Sequence, residues 1–384
     1  MTMIFPDRQG SDSEKWAKYS GKTYLSPQQE NDSVLPLWVA DSDFQSPPCI
    51  IKALHDRVEH GVYGYGREPE QLTQLLVQRF AEKYQWHIDP EAIVYLPGLV
   101  CGLNLAVQAL TDSGDKVLCP SPIYPPFRSA IKMAKREPVF QQVHLHHTRW
   151  LPDMPTLNSG AKLAMICNPL NPGGTVFSHQ ELLKFDARAK TENWIVCSDE
   201  IHCDLILDET VSHIPYASLN EDAAQRSITL MAPSKTFNIA GLGCSMAIIP
   251  NPKLRQRFTR AMAGLIPHVN VLGFSAAIAA YSDGEPWLQS QLDFLRQQHE
   301  RVYNAINNLP GLRMTRLQAT YLAWIDASEL PVNNPHDFFE QHGVGLSPGL
   351  QFGDRRFVRL NFACSEETLT EALDRIQRAV KTLE

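Results

Sequence analysis

The chain has 384 residues, 43% of them hydrophobic and 20% charged, and its 35 lysines and arginines against 42 aspartates and glutamates leave a net charge of −7. That length exceeds one small core and suits one large and one smaller domain. The mild acidity, spread without long runs of one sign, argues against nucleic acid or a membrane surface as partner, and no window has the apolar length of a membrane span.

The first residues, Met1-Thr-Met-Ile-Phe-Pro-Asp-Arg8, lack the basic-then-apolar layout of a secretory signal, so a cytoplasmic protein is expected. The eight cysteines include no Cys-x-x-Cys pair, and Cys119, Cys167, Cys197 and Cys244 sit in apolar strand-like runs. They read as small buried hydrophobes in a reducing compartment.

From about residue 90 to 250 short β-rich runs alternate with helical stretches: Ala92–Leu96, Lys116–Cys119, Leu163–Cys167, Trp194–Ser198, Ile228–Met231 and Cys244–Ile249. The alternation predicts an α/β domain with a mainly parallel sheet. After the first run, Pro97-Gly98-Leu-Val100-Cys101-Gly102 fits a tight glycine turn and a helix start, where backbone N–H groups near Val100 and Cys101 are placed to cradle a phosphate. His144, His146 and His147 cluster further on, with His202 and Cys203 beyond, but at no spacing typical of zinc; a solvated strand edge accounts for the first three, and no metal is expected. The third run closes on Asn168-Pro169-Leu-Asn171-Pro172-Gly173-Gly174 and the fourth on Asp199. The fifth delivers Ser234-Lys235-Thr236, a lysine flanked by hydroxyls at a strand end, suited to hold a carbonyl cofactor as a Schiff base. Ligands of parallel sheets gather beyond the carboxyl ends of the strands, which is where Asn171, Asp199 and Lys235 fall.

The amphipathic pattern from Trp287 to Leu309, then Tyr321-Leu-Ala-Trp-Ile-Asp326, reads as a smaller α+β domain. Near its end Phe357-Val-Arg359-Leu-Asn361-Phe places one arginine in an alternating apolar run. A guanidinium fork there suits a substrate carboxylate, whereas Arg355 and Arg356 suit a surface ion pair.

The Asn171, Asp199, Lys235 and Arg359 segments, in that order, resemble the fold-type I enzymes that use pyridoxal 5′-phosphate, the aminotransferase class I and II group, across nearly the whole chain. Four strings resemble its cystathionine β-lyase branch, the carbon–sulfur lyases of the MalY/PatB type: Leu35-Pro-Leu-Trp38-Val-Ala40-Asp41-Ser-Asp43-Phe44, Gly61-Val-Tyr63-Gly-Tyr65, Ser198-Asp-Glu-Ile-His202 and Ser234-Lys-Thr-Phe-Asn-Ile239. The resemblance implies a large domain over 49–288 around a mainly parallel seven-stranded sheet, and a discontinuous small α+β domain from 1–48 and 289–384. It implies that Lys235 carries the cofactor and acts as the base. Val100, Cys101 and Ser234 would hold its phosphate, Asp199 would keep its ring nitrogen protonated, Asn171 would bind its ring oxygen, and Tyr124 would stack on its face. His202 joins them, and Tyr65 or Tyr63 would reach in from a neighbouring subunit, making a homodimer. Arg359, Asn171 and the backbone of Ala40 would hold the carboxylate of a sulfur-containing amino acid.

Three positions depart from the group's commoner pattern. Gly243 stands where a phosphate-binding arginine is frequent, Ala232 replaces a serine, and the turn reads Asn-Pro-Gly-Gly rather than Asn-Pro-Thr-Gly. The expected activity is elimination of a thiol, with pyruvate and ammonia as the other products; an aminotransferase is the alternative. A non-catalytic regulatory protein is disfavoured because Lys235, Asp199 and Arg359 are all kept.

Overall fold

The computed structural model describes residues 2–20, 23–25, 31–155 and 158–384. Two helices, α1 (Pro48–His60) and α2 (Glu70–Tyr84), precede the first strand of the main sheet, β1 (Ile93–Leu96). Helix α3 (Leu99–Leu110) follows, then β2 (Lys116–Ser121), the hairpin of β3 (Glu137–His146) and β4 (Arg149–Pro152), then β5 (Ala161–Cys167), β6 (Ile195–Asp199), β7 (Ser227–Met231) and β8 (Ser245–Ile248). The strand order is β1-β8-β7-β6-β5-β2-β3-β4. Strands β3, β2, β5, β6 and β7 run parallel, whereas β8 is antiparallel to both of its neighbours.

The central strands are nearly unbroken apolar runs because helices cover both faces of the sheet. All five residues of β7 are buried, as are six of the seven in β5. Helix α3 packs Leu103, Ala106, Val107 and Leu110 into the same core. Each leucine so enclosed contributes about 2 kcal/mol relative to exposure. The sheet holds one strand more than the seven expected. The eighth, β4, is a short, half-buried return of β3 across a turn in which His147 takes φ 56°. Its four residues, Arg-Trp-Leu-Pro, carry too little alternation to announce a strand. His144 and His146 on β3 are exposed beside Asp153.

The last third of the chain forms α4 (Val271–Asp283), α5 (Glu285–Asn307), β9 (Leu322–Asp326), β10 (Ser347–Pro348), β11 (Phe357–Asn361) and α6 (Glu366–Lys381). The sheet order is β9-β11-β10, antiparallel throughout. Leu37, Phe44 and Ile50 from near the start share one core with Leu295, Leu322, Val358 and Ile376. That shared core brings the Trp38–Phe44 loop against the carboxyl ends of the main sheet.

Candidate active site

At the carboxyl ends of β5, β6 and β7 one cavity is lined by Ala40, Gly98, Val100, Tyr124, Asn171, Asp199, His202, Ser234 and Lys235, among others. Arg359 stands directly behind Asn171. The structure therefore gathers nine of the expected residues around one space. Cys101 lies in the first turn of α3 without forming part of the wall, and Tyr63 and Tyr65 stand on an exposed segment away from it.

The lysine reaches this space because β7 ends at Met231 and the chain then turns, with Phe237 N–H donating to the Pro233 carbonyl and Ile239 N–H to that of Ser234. Its Nζ donates to the Ala40 carbonyl at 2.6 Å. Burial lowers the amine to about 8 and Arg359 pushes the same way, while Asp41 and Asp199 pull it back up. Asp199, 3% exposed, goes the other way: burial raises its carboxyl to about 7, helped by Glu200 and opposed by the Ile201 N–H and Lys235. His202 is held neutral, its pKa lowered to about 3 by burial and by the cations Lys235 and Arg359.

Arg359 is buried, and among the described residues it has no carboxylate partner. Its Nη1 donates to Asn171 Oδ1 at 3.0 Å, and Nη2 to the Trp38 carbonyl at 3.0 Å and to Ser347 Oγ at 3.3 Å. The guanidinium lies 4.7 Å from the centre of the Phe352 ring. Arg356, by contrast, makes the exposed ion pair expected of it, with Asp354. Leaving a guanidinium buried without an anion costs several kcal/mol, which an incoming carboxylate offsets.

Helix α3 starts at the other end of the cavity. Its N-cap is Gly98, with no side-chain cap, so the first-turn N–H groups and the positive end of the dipole are turned over to a ligand. Gly243 lies beside this turn at φ 59°, and a Cβ there would come within 2.7 Å of the Pro97 carbonyl.

Sequence reasoning missed how the Trp38–Phe44 loop is held. Arg8 bridges Asp41 and Asp43, buried Lys15 pairs with Asp43 at 2.7 Å, and Asn238 bonds the backbone of Ser42 and Phe44. Asn361 Nδ2 donates to the Val39 and Asp41 carbonyls. It also missed Ser347 and Phe352, which no motif marked, and Tyr321, whose hydroxyl donates to the Ala40 carbonyl. For Tyr321 the only signal was its place ahead of an apolar strand run.

The sequence matches the family described as aminotransferase class I and II over residues 32–376. The chain belongs to that family. Among curated relatives, cystathionine beta-lyase PatB of Bacillus subtilis (strain 168) is 34% identical over 97% of this chain and 98% of the relative. Among solved structures, OvoB shares 47% identity at a TM-score of 0.94, covering 100% of this chain and 99% of that one. Cystalysin from Treponema denticola, which contains pyridoxal 5′-phosphate, shares 30% identity at a TM-score of 0.93 with both chains covered in full.

The residues present fit that cofactor as it would sit in a member of this family. A low-lying amine, a buried carboxyl without a cation bonded to it and an uncapped helix start converge on one cavity. Two buried atoms, His202 Nδ1 at its wall and Arg359 Nε behind Asn171, have no hydrogen-bond partner among the described residues. Buried polar groups of this kind cost free energy until a ligand satisfies them.

Proposed function

We propose that the protein is a carbon–sulfur β-lyase that uses pyridoxal 5′-phosphate to cleave cystathionine, cysteine or cysteine S-conjugates to a thiol, pyruvate and ammonia. The observation that carries the amino-acid substrate is the buried Arg359 guanidinium without a carboxylate partner, one residue away from the cavity wall. The choice of elimination rests on the full-length likeness to a relative named cystathionine beta-lyase.

In this reading Lys235 would hold the cofactor covalently, the N–H groups at Val100 and Cys101 with the Ser234 hydroxyl would bind its phosphate, and Tyr124 would cover its ring. Asn171 spends its amide oxygen on Arg359, so its NH2 is the group offered to the ring oxygen. Asp199 would pair with the ring nitrogen, and a positive charge there would bring its carboxyl back down. When bound, the cofactor draws off the electron pair left at the substrate Cα. Arg359 fixes the α-carboxylate by a two-pronged hydrogen bond, which sets the direction of the remaining Cα bonds. Once the substrate amine had replaced it on the cofactor, Lys235 Nζ, whose free-amine pKa burial lowers to about 8, would take the Cα proton. Neutral His202 adds no cation beside that amine. The Ala40 carbonyl can only accept, and it does so from Lys235 and Tyr321, so the N–H of Ala40 is the group that would serve the substrate carboxylate.

We also read the protein as a cytoplasmic homodimer of two-domain subunits, divided as 49–288 against 1–48 with 289–384. Eight unpaired cysteines support a reducing compartment. No helix among the described residues is long and apolar enough to cross a membrane. The exposed Val62, Tyr63, Tyr65 and Leu265 support a subunit contact, with one tyrosine lent to the neighbour's phosphate. A fully active monomer on gel filtration would contradict that loan.

The decisive test mixes cofactor-loaded protein with L-cystathionine and follows pyruvate and free thiol together. Matched release of the two is expected. Transfer of the amino group to the cofactor, reversed by an added keto acid, would make the protein an aminotransferase instead.

A further inference from the structure

Two donors meet on one buried oxygen. The Ala40 carbonyl receives Lys235 Nζ at 2.6 Å and the Tyr321 hydroxyl at 3.2 Å. A buried phenol usually needs some acceptor, and any carbonyl would satisfy it. Here the chosen carbonyl is the one on which the lysine amine rests. We propose that Tyr321 is a positioning residue for Lys235: its hydroxyl fixes the Ala40 carbonyl as the resting place of the amine and weakens that carbonyl's hold on the charged form. The inference deepens the lyase reading and rests on Lys235 serving there as the proton-carrying amine.

Tyr321 is fixed by its backbone and by its ring. Tyr321 is 1% exposed and immediately precedes β9, and its own carbonyl accepts from Phe362 N–H at 3.0 Å, which ties it to the end of β11. Its ring meets that of His202 edge-on, with centroids 6.4 Å apart. Ala40 is fixed in turn, because Asn361 Nδ2 grips the carbonyls on either side of it, those of Val39 and Asp41. Burial raises the phenol far above its ordinary value, so it remains a donor throughout the working pH range.

The electrostatic consequence has a definite sign. The hydrogen end of the O–H dipole points at the oxygen that the ammonium shares, so it opposes the charge on Nζ and competes for the same lone pairs. The other groups facing the amine are Asp41 and Asp199, which favour its charge, and Arg359, which disfavours it; neutral His202 lies on the Tyr321 side. Tyr321 therefore acts with Arg359 to favour the neutral amine. It also keeps the Ala40 oxygen in place whenever the amine leaves it.

The test uses cofactor-free protein and pyridoxal, which lacks the phosphate, as a probe of the free amine. The rate of imine formation is followed by absorbance across pH, with Lys235→Ala as the blank. Tyr321→Phe keeps the ring and its packing on His202 and removes only the hydroxyl. We expect its profile to move up by about half a pH unit, read as roughly threefold slower capture at pH 7.5 and equal rates near pH 10. Tyr321→3-fluorotyrosine, a stronger donor that keeps the hydroxyl, is expected to move the profile the other way. A Tyr321→Phe profile that coincides with the parent or moves down overturns the proposal, as does a fluorotyrosine profile that does not move. Neither measurement needs substrate, so a protein that released no pyruvate from L-cystathionine would sink the lyase reading and still yield this profile.

Discussion

Two buried aspartates lie five residues apart at the end of β6, and their surroundings are opposite. Asp204, 4% exposed, meets Arg79 at 2.7 Å, Lys83 and the Thr236 hydroxyl, and these cations hold its carboxyl well below the usual range against the cost of burial. Asp199, 3% exposed, has no cation within bonding distance among the described residues, and burial raises it to about 7. Lys235 and Thr236 are adjacent, so the two environments back onto each other along one turn of chain. The satisfied cluster behind the turn is built for stability. The unsatisfied one in front stores free energy that a bound cofactor and substrate release.

The sharpest way to break this contrast is Asp199→Asn. Turnover is expected to fall on the order of 10³-fold, the scale of a lost preorganised electrostatic partner. Stability of the cofactor-free protein should move the other way. A carboxyl whose folded pKa is raised contributes stability that is complete below about pH 4 and disappears as pH rises through 7. The variant should therefore melt higher than the parent at pH 8 and no higher at pH 4.

Next in size is Asp204→Asn, which strands Arg79 and Lys83 and should cost about 3 kcal/mol of stability, measured by urea unfolding. Since Asp204 is depressed in the folded state, its contribution is present above about pH 4 and lost as pH falls below that. If Asp204→Asn unfolded like the parent, the division into a stabilising and a functional cluster would fail.

Arg359→Lys keeps the charge and loses the fork, so kcat/KM should drop about 10²-fold while cofactor binding, read by absorbance titration, stays unchanged. The smallest effect is expected from Ser234→Ala, about 1 kcal/mol in cofactor affinity, because the phosphate end relies on several neutral donors and loses only one. A change of several kcal/mol there would mean that the hydroxyl, rather than the helix start, holds the phosphate.

The parallel strands were legible in the sequence because burial on both faces writes itself as unbroken apolar runs; Ile228–Met231, for instance, lies within β7. Asn171, Asp199 and Lys235 were legible because Asp199 closes such a run and the other two each come four residues after one. What could not be read was anything set by distant partners. The place of β8, antiparallel between β1 and β7, depends on its pairing with β1, which lies more than a hundred residues away in sequence. The Arg8 and Lys15 hold on Asp41 and Asp43 joins surface-looking charges that show no periodicity. Tyr321 looked like any aromatic at the edge of a strand, since its partner is a backbone carbonyl 281 positions away.

Gly243 closes one route of change to this molecule. Its left-handed φ of 59° and the Pro97 carbonyl 2.7 Å from where a Cβ would stand leave no room for a side chain. Substituting an arginine there would displace the very turn, Pro97-Gly98, that opens the first N–H groups of α3. With the Pro97-Gly98 turn placed as it is, this backbone leaves the phosphate end to the helix start and gives no room at residue 243 for a guanidinium. An engineer seeking slower cofactor loss would have to add charge from another segment, or from a second subunit.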